Sequence, residues 1–470
     1  MHTKKRGRYA MSSDPKAGLF EYTAGLDIGN GYVKGVIEDR SADPHDRSAN
    51  VPVDMVDMPS VAATLIRPNL LQTPDADAPD VLADGQEWFD NADLVFSSNL
   101  VPDTYRRVIG RRALATKASS VDAFDLVGNK SKAEQPLSKV LVLGILAAKA
   151  LRDYVAVTGQ LPSPNNPDTV ASLTVRAVLA LALPISEYEV HRNSYSASFV
   201  GTATEPLVHQ VRINNFVTPV TVSIVFDNVL VVPEGASAQY AINYFGEPLM
   251  ERLLADVRSR GVALEGIEAT HLLAATDTIG VDVGEGTVNF PVFTGGRFNA
   301  DASRTLPAGY GTVLENTIEA MTEKGEQHGF AGRKHLANFL QAEVNPLKAK
   351  FRARVVEETE VASDFFVREV ALELSRVLDL VGAVTQAIYV YGGGSGPLRE
   401  SLHKALLDKV TEMNGEDAAP VLYLDSAYSR GLNREGLIIA ARNRAAALAP
   451  AAAETGSEAK SSRRKVATAK

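Results

Sequence analysis

Cysteine is absent from all 470 residues, and that single absence excludes disulfides, zinc–thiolate sites, iron–sulfur clusters and a thiol nucleophile. The eight histidines are scattered, and even His328 and His335 stand at no metal-ligand spacing, so they read as surface or core residues. Long apolar runs are missing as well. Val140–Ala148 is short and Val170–Ile185 is interrupted by Arg176; both suit buried elements rather than a membrane span. Lys4, Lys5, Arg6 and Arg8 could open a signal peptide, but no apolar stretch follows them before Asp14, which argues for a cytoplasmic rather than a secreted protein. An excess of positive charge is also lacking. Lys+Arg 48 against Asp+Glu 57 leaves a formal charge of −9, which argues against a body that binds nucleic acid non-specifically.

What is present exceeds a single hydrophobic core, so two large lobes are expected. Residues 1–19 read as a disordered basic head with Met11 as a second candidate start, and 448–470 as a disordered Ala/Ser/Lys-rich tail carrying Arg463, Arg464 and Lys465. Between them, Thr23–Lys34 reads TAGLDIGNGYVK, a strand, a tight turn and a returning strand. Its glycines, Gly29 and Gly31, let backbone amides close around an anion, with Asn30 and Tyr32 in the turn. Asp27 is placed for a hydrated magnesium ion and Lys34 for an anionic oxygen.

The same pattern returns at Thr278–Phe293: Asp282, then Gly284, Glu285, Gly286 and Thr287, then a second returning strand. Two such units at roughly half-chain separation predict two related lobes. Around them the sequence predicts short strands at 51–58 and 61–66, a hairpin turn at Asp84-Gly85, a helix over 137–157 and a buried strand over 169–183. Further strands are expected near 190–200, 207–211 and 217–232. Glu234 follows the last of these and opens helices over 236–245 and 247–260; His271–Ala275 leads toward the next strand. Helix dominates 311–380 around a loop at 325–333. The strand 387–391 then runs into Gly392, Gly393, Gly394 and Ser395, a helix from Pro397, a strand at 421–424 and a final helix at 436–447.

Together these features compose an ATP site. Asp27 and Asp282 on facing turns hold a divalent cation through waters, Lys34 and the turn amides take the phosphates, Glu234 orients the attacking water, and Gly392–Gly394 leaves room for the adenosine. Each has a plainer reading beside it: Gly392–Gly394 as a strand-to-helix turn, Glu234 as a first-turn helix residue, Lys34 as a solvated strand residue, Asp282 as a turn former. Their joint order favours the site.

The segments DIGNGYVK, LALPISEYE, VVPEGASA, VDVGEGT, YVYGGGSG and NREG resemble the ordered motif set of actin-like ATPases, and within them the bacterial ParM/StbA plasmid-segregation family. The resemblance covers about Ala24 to Arg442. It implies an α/β, two-lobed actin-like fold, two ribonuclease-H-like domains around a nucleotide cleft, each with a small inserted subdomain. The lobes would run 20–245 (insertion about 50–135) and 246–425 (insertion about 311–365), with 426–447 returning to lobe I. Asp27–Lys34 and Asp282–Thr287 match the two phosphate motifs, Glu234 the catalytic position and Gly392–Gly394 the adenosine motif; Asn433–Gly436 resembles the closing segment. Glu285 adds a negative charge where small residues are common in that group, and the stretch 111–168 is long. Implied with the family are ATP and Mg2+ as cofactors, assembly into a homopolymer filament, a DNA-bound adaptor as partner with no direct sequence-specific DNA contact, and no membrane. A non-polymerising small-molecule kinase of the same fold is the alternative, which would need a second Asp as base.

Overall fold

The computed structural model describes residues 14–40, 54–65, 72–116, 121–125, 130–202, 205–260, 264 and 266–448. The basic clusters at 4–8 and 463–465, Met11 and most of the polar loop at 38–50 lie outside the described residues. Within the expected basic head, a 3-10 turn at Pro15–Ala17 already leads into the first strand at Leu19.

Two sheets organise the chain. The first contains β1 (Leu19–Ile28), β2 (Tyr32–Asp39), β3 (Asp54–Pro59), β4 (Ala62–Leu65), β5 (Asp93–Ser97), β6 (Arg106–Ile109), β7 (Val121–Asp122), β8 (Leu173–Leu183), β9 (His209–Ile213) and β10 (Val220–Pro233). The second contains β11 (Thr278–Val283), β12 (Val288–Phe290), β13 (Val292–Thr294), β14 (Arg297–Phe298), β15 (Arg304–Leu306), β16 (Ala387–Tyr391) and β17 (Val421–Tyr423). The helices are α1 (Ala78–Ala83), α2 (Gly85–Phe89), α3 (Arg111–Ala115), α4 (Pro136–Thr158), α5 (Ile185–Val200), α6 (Ala236–Ser259), α7 (Ala269–Leu273), α8 (Tyr310–Glu323), α9 (Arg333–Gln341), α10 (Ala349–Val381), α11 (Arg399–Asn414), α12 (Ser426–Ser429) and α13 (Leu432–Leu448).

Both sheets trace the same path. In the first, β3-β2-β1 form an antiparallel meander and β8 and β10 follow in parallel beside β1. In the second, β15-β12-β11 form the meander and β16 and β17 follow in parallel beside β11. The repeated turn pattern in the sequence therefore marks a repeated topology. Both glycine turns leave the first strand of their sheet at its carboxyl end, where open α/β sheets place ligands.

Burial follows from strand composition. Seven consecutive residues of β8, from Ala177 to Leu183, are buried, as expected for a parallel strand covered on both faces. Leu179 and Leu181 pack into the core under α4. Ala180 and Ala182 face the other way, onto Leu437, Ile438 and Ala441 of α13. Small side chains on that face let α13 approach closely: a Cβ added at Gly25 of β1 would lie 2.3 Å from the Ile438 nitrogen, and one at Gly436 1.7 Å from the Ser237 carbonyl oxygen of α6. In the second half, Ile279, Val281 and Val283 of β11 pack on α10 and α11, while Tyr389 and Tyr391 of β16 pack on α6.

Two local expectations are corrected. Val190–Val200 belongs to helix α5, not to a strand: Ile185, Tyr195 and Phe199 are buried with Tyr188 packed beside them, a 3–4 residue spacing that gives one apolar helical face. Asp84-Gly85 is not a hairpin turn. Asp84 caps α2, its Oδ1 accepting from the Glu87 amide at 3.0 Å, and Trp88 is buried with its indole N–H donating to Ala148 of α4 at 2.9 Å. Residues 269–273 form α7 ahead of β11. Elsewhere the expected 236–260 helices form one element broken at Gly246 (φ 63°, ψ −148°) before Pro248, and the 325–333 break separates α8 from α9. No helix among the described residues is long and apolar enough to cross a membrane.

The crowding at Gly436 yields a stability test. Gly436→Ala is expected to cost about 1–3 kcal/mol in urea unfolding, because backbone must move to admit the methyl. Gly396→Ala, with no atom within 4 Å of the new Cβ, should change stability by less than about 0.5 kcal/mol. Equal effects would show that α13 does not seat through Gly436.

Candidate functional site

A cavity of about 480 Å³ lies between the two sheets. Its lining includes Asp27, Gly29, Asn30, Gly31, Tyr32 and Lys34 from the first turn, Glu234, Asp282 and Gly284–Thr287 from the second, and Gly392–Gly394. Ser395 does not line it. That side chain lies below the surface, its Oγ donating to the Gly392 carbonyl at 2.8 Å while Tyr423 donates to the Ser395 carbonyl at 2.5 Å.

Each turn is built by short-range bonds. In the first, Asp27 pairs with Lys34 in the ladder and the Gly29 amide donates to the Tyr32 carbonyl at 3.0 Å. Ser60 ties the turn to the end of β3, its Oγ donating to Gly29 at 2.6 Å and its amide to Gly31 at 3.0 Å. In the second, the Gly284 amide donates to Thr287 at 2.9 Å, the same closure. The glycine run then docks on this turn, with the Gly394 amide donating to Val283 at 2.8 Å. Gly392 has φ +96°, and a Cβ there would lie 2.4 Å from the Val283 oxygen and 2.5 Å from Asp282 Oδ1. Positive φ and contact on both sides demand glycine.

The electrostatics centre on three carboxylates. Burial pushes the Asp27 carboxyl above its usual range; Lys34 opposes this and Glu234 adds to it. Burial likewise pushes Asp282 up to about 7, the Asn433 amide holding it back and the Asp27 and Glu234 charges raising it. Asn433 Nδ2 donates to Asp282 Oδ2 at 2.7 Å and Ser237 Oγ donates to Asn433 Oδ1 at 2.8 Å, so β11, α13 and α6 meet at the cavity floor. Glu234 has two partners: Lys132 Nζ in a buried ion pair and Asn289 Nδ2 at 3.3 Å. Burial works against the Lys132 ammonium, yet Glu234 and Asp27 together hold its pKa above the ordinary lysine value. Among the described residues no group of three or more His, Cys, Asp or Glu side chains is arranged to ligate a metal directly.

Several contacts cross the mouth. The Glu285 carboxylate stands over Gly31, where an added Cβ would meet its Oε2 at 1.6 Å; Arg333 lies 3.8 Å from its other oxygen. Lys334 Nζ and the Arg430 guanidinium sit 4.9 and 5.9 Å from the Tyr32 ring centre, and Arg430 pairs with Asp57 at 3.0 Å. A set of cations (Lys34, Lys132, Arg333, Lys334, Arg430) thus faces Asp27, Glu234 and Asp282 around glycine-lined space. Such a set can hold a polyanion together with a cation.

No protein-family model matches the chain, and no curated protein matches it. Solved structures match its shape. Actin-like protein Alp7A superposes at TM-score 0.57 and 14% identity, covering 91% of this chain and 97% of that one. A non-polymerisable quadruple mutant of pCBH ParM does so at 0.51 and 15%, covering 90% and 99%. Ta0583, an archaeal actin homolog, does so at 0.50 and 12%, covering 90% and 99%. The chain has an actin-like fold. Its cavity occupies the cleft between the two similar halves of that fold.

Within the actin-like frame, sequence reasoning brought together the two turns, Glu234 and the glycine run, and missed Lys132, Asn289, Arg333, Lys334 and Arg430. Lys132 stands in the polar run before α4 with no motif around it, and only the fold delivers its ammonium to Glu234. Asn289 is two residues past Thr287 on a returning strand, so a period-2 count from the turn was the available signal.

The buried ion pair can be tested by itself. Lys132→Met is expected to destabilise the protein by about 3–5 kcal/mol in urea unfolding, because Glu234 loses its counter-charge inside the structure. The double variant Lys132→Met/Glu234→Gln should recover most of the loss. A single-variant effect below about 1 kcal/mol would mean that the pair is solvated.

Proposed function

We propose that the chain is an actin-like ATPase of the ParM/StbA kind, binding ATP with Mg2+ in this cleft, assembling into filaments in the ATP state and losing them after hydrolysis. The observation that carries the reading is the pair of matching turns, Asp27–Lys34 and Asp282–Thr287, facing one cavity beside Gly392–Gly394. One turn reaches only one side of a polyphosphate; two reach both.

The residues fit the implied metal. Asp282 is buried and Asp27 half-buried; the Asp27 charge helps to raise the Asp282 pKa and the Glu234 charge raises both, and a divalent cation between the two aspartates offsets that cost. They would hold Mg2+ through its waters, and when bound it would neutralise phosphate charge. Lys34 and the turn amides would bind the phosphates, while Gly392 and Gly394 leave backbone open to the adenosine. Glu234, fixed between Lys132 and Asn289, is placed to orient the attacking water, the role that phosphoryl transfer to water requires.

Closure of the cleft around ATP would favour one lobe arrangement and its loss another, a population shift that couples hydrolysis to assembly. Head-to-tail, heterologous contacts make an open polymer, and pCBH ParM was solved as a non-polymerisable mutant. The motif set supports plasmid segregation through a DNA-bound adaptor as the task of the filament, in the cytoplasm.

Sedimentation with and without ATP and Mg2+ tests the reading: pelleting should require both, and a protein that hydrolyses ATP yet stays in the supernatant at every concentration would refute the filament. Glu234→Gln is expected to cut ATP turnover by about 10²–10³-fold while ATP still binds. Asp27→Ala should abolish Mg2+-dependent ATP binding and pelleting while the far-UV circular dichroism and a cooperative melt persist. An unfolded Asp27→Ala would give that residue to the fold instead.

A further inference from the structure

The longest helix, α10, buries one side and leaves an apolar stripe on the other. Val355, Phe366, Val370, Leu374 and Val377 face the interior. On the outside, Val361, Phe365 and Leu372 are 52%, 64% and 51% exposed. At 100° per residue these three fall with Arg354, Arg368 and Asp379 on one face about 60° wide, and all six are exposed. The Arg368 guanidinium lies over the Phe365 ring at 5.9 Å, and neither Arg368 nor Asp379 forms an ion pair among the described residues.

This face is complementary to itself. When two copies of α10 lie antiparallel, centred between Phe366 and Val367, Val361 comes level with Leu372, Phe365 with Arg368 and Arg354 with Asp379. Apolar meets apolar, a cation meets an aromatic ring and opposite charges meet at both ends. Asp364 and Glu369 also come level, but they sit on opposite flanks away from the seam. A parallel pairing would instead set Arg354 on Arg354 and Asp379 on Asp379.

We propose that the outer face of α10 binds a second copy of this chain as a two-fold, antiparallel helix pair. Such a contact is isologous and closes at two copies, so it is distinct from the head-to-tail contacts of a growing filament. It would join protomers or whole filaments side by side in opposite directions. The Val361–Leu372 seam is only about 17 Å long, short of a standard interface, so the free pair is weak and strengthens when many copies are arrayed.

The absence of cysteine makes the test specific. Val361→Cys and Leu372→Cys proteins, each checked for an unchanged melt, are oxidised separately and as a mixture, without nucleotide and at up to about 1 mM because the interface is small. The mixture should give a disulfide-linked dimer at least about tenfold above either variant alone, since only the 361–372 pair comes within bridging distance. Phe365→Glu in both partners should remove it. Equal linking in the separate samples, or none in any, overturns the pairing. Linking that appears only after deletion of residues 449–470 also overturns it, by making the chain's own tail the occupant. Because no nucleotide is present, these outcomes are independent of the ATPase reading.

Discussion

Backbone meets backbone where α13 crosses β1 and α6, and the site depends on that crossing. Without side chains at Gly25 and Gly436, the last helix drops into contact with the first sheet and with the helix that follows β10. That depth places Asn433 between Ser237 and Asp282, so one amide ties together three elements drawn from both halves of the chain. A helix held a side chain's thickness further out would leave Asp282 buried without a partner. The floor of the cleft is therefore set by packing before any charge acts.

On that floor lie more negative charges than a dry interior tolerates. Burial raises the proton affinity of Asp27 and Asp282 and the Glu234 charge adds to both, while Lys34 and, at Asp27, Lys132 offset only part of that rise. The balance leaves room for a cation without forming a cage that could satisfy the carboxylates directly. Glycine supplies the rest: both turns and Gly392–Gly394 present backbone rather than side chains to the cavity. Glu285 covers one of these surfaces from across the mouth, so the same contact that closes the cleft also places an acid where an anion would bind.

Local patterns in the chain predicted this architecture unevenly. Strand–turn–strand units at 23–34 and 278–293, the buried β8 and the glycine run were legible because each is specified over a few residues by alternation and glycine. α5 was not, because its β-branched and aromatic residues suit a strand, and only the packing of Tyr195 and Phe199 under β10 decides for helix. The short helices around Asp84 failed for a similar reason: Asp-Gly signals a hairpin unless the aspartate caps a helix whose Trp88 is already claimed by α4.

The sequence alone determined which residues could do chemistry and in what order, since a carboxylate before a glycine turn is a local statement repeated twice. It also determined that no thiol takes part. Tertiary structure decided which of them meet: that Lys132 neutralises Glu234, that Asn433 answers Asp282, that Arg430 and Lys334 close over Tyr32, and that Ser395 stays beneath the surface. Those pairings join residues as far apart as Tyr32 and Arg430, and their geometry follows from how two sheets and α13 pack, which no short-range pattern encodes.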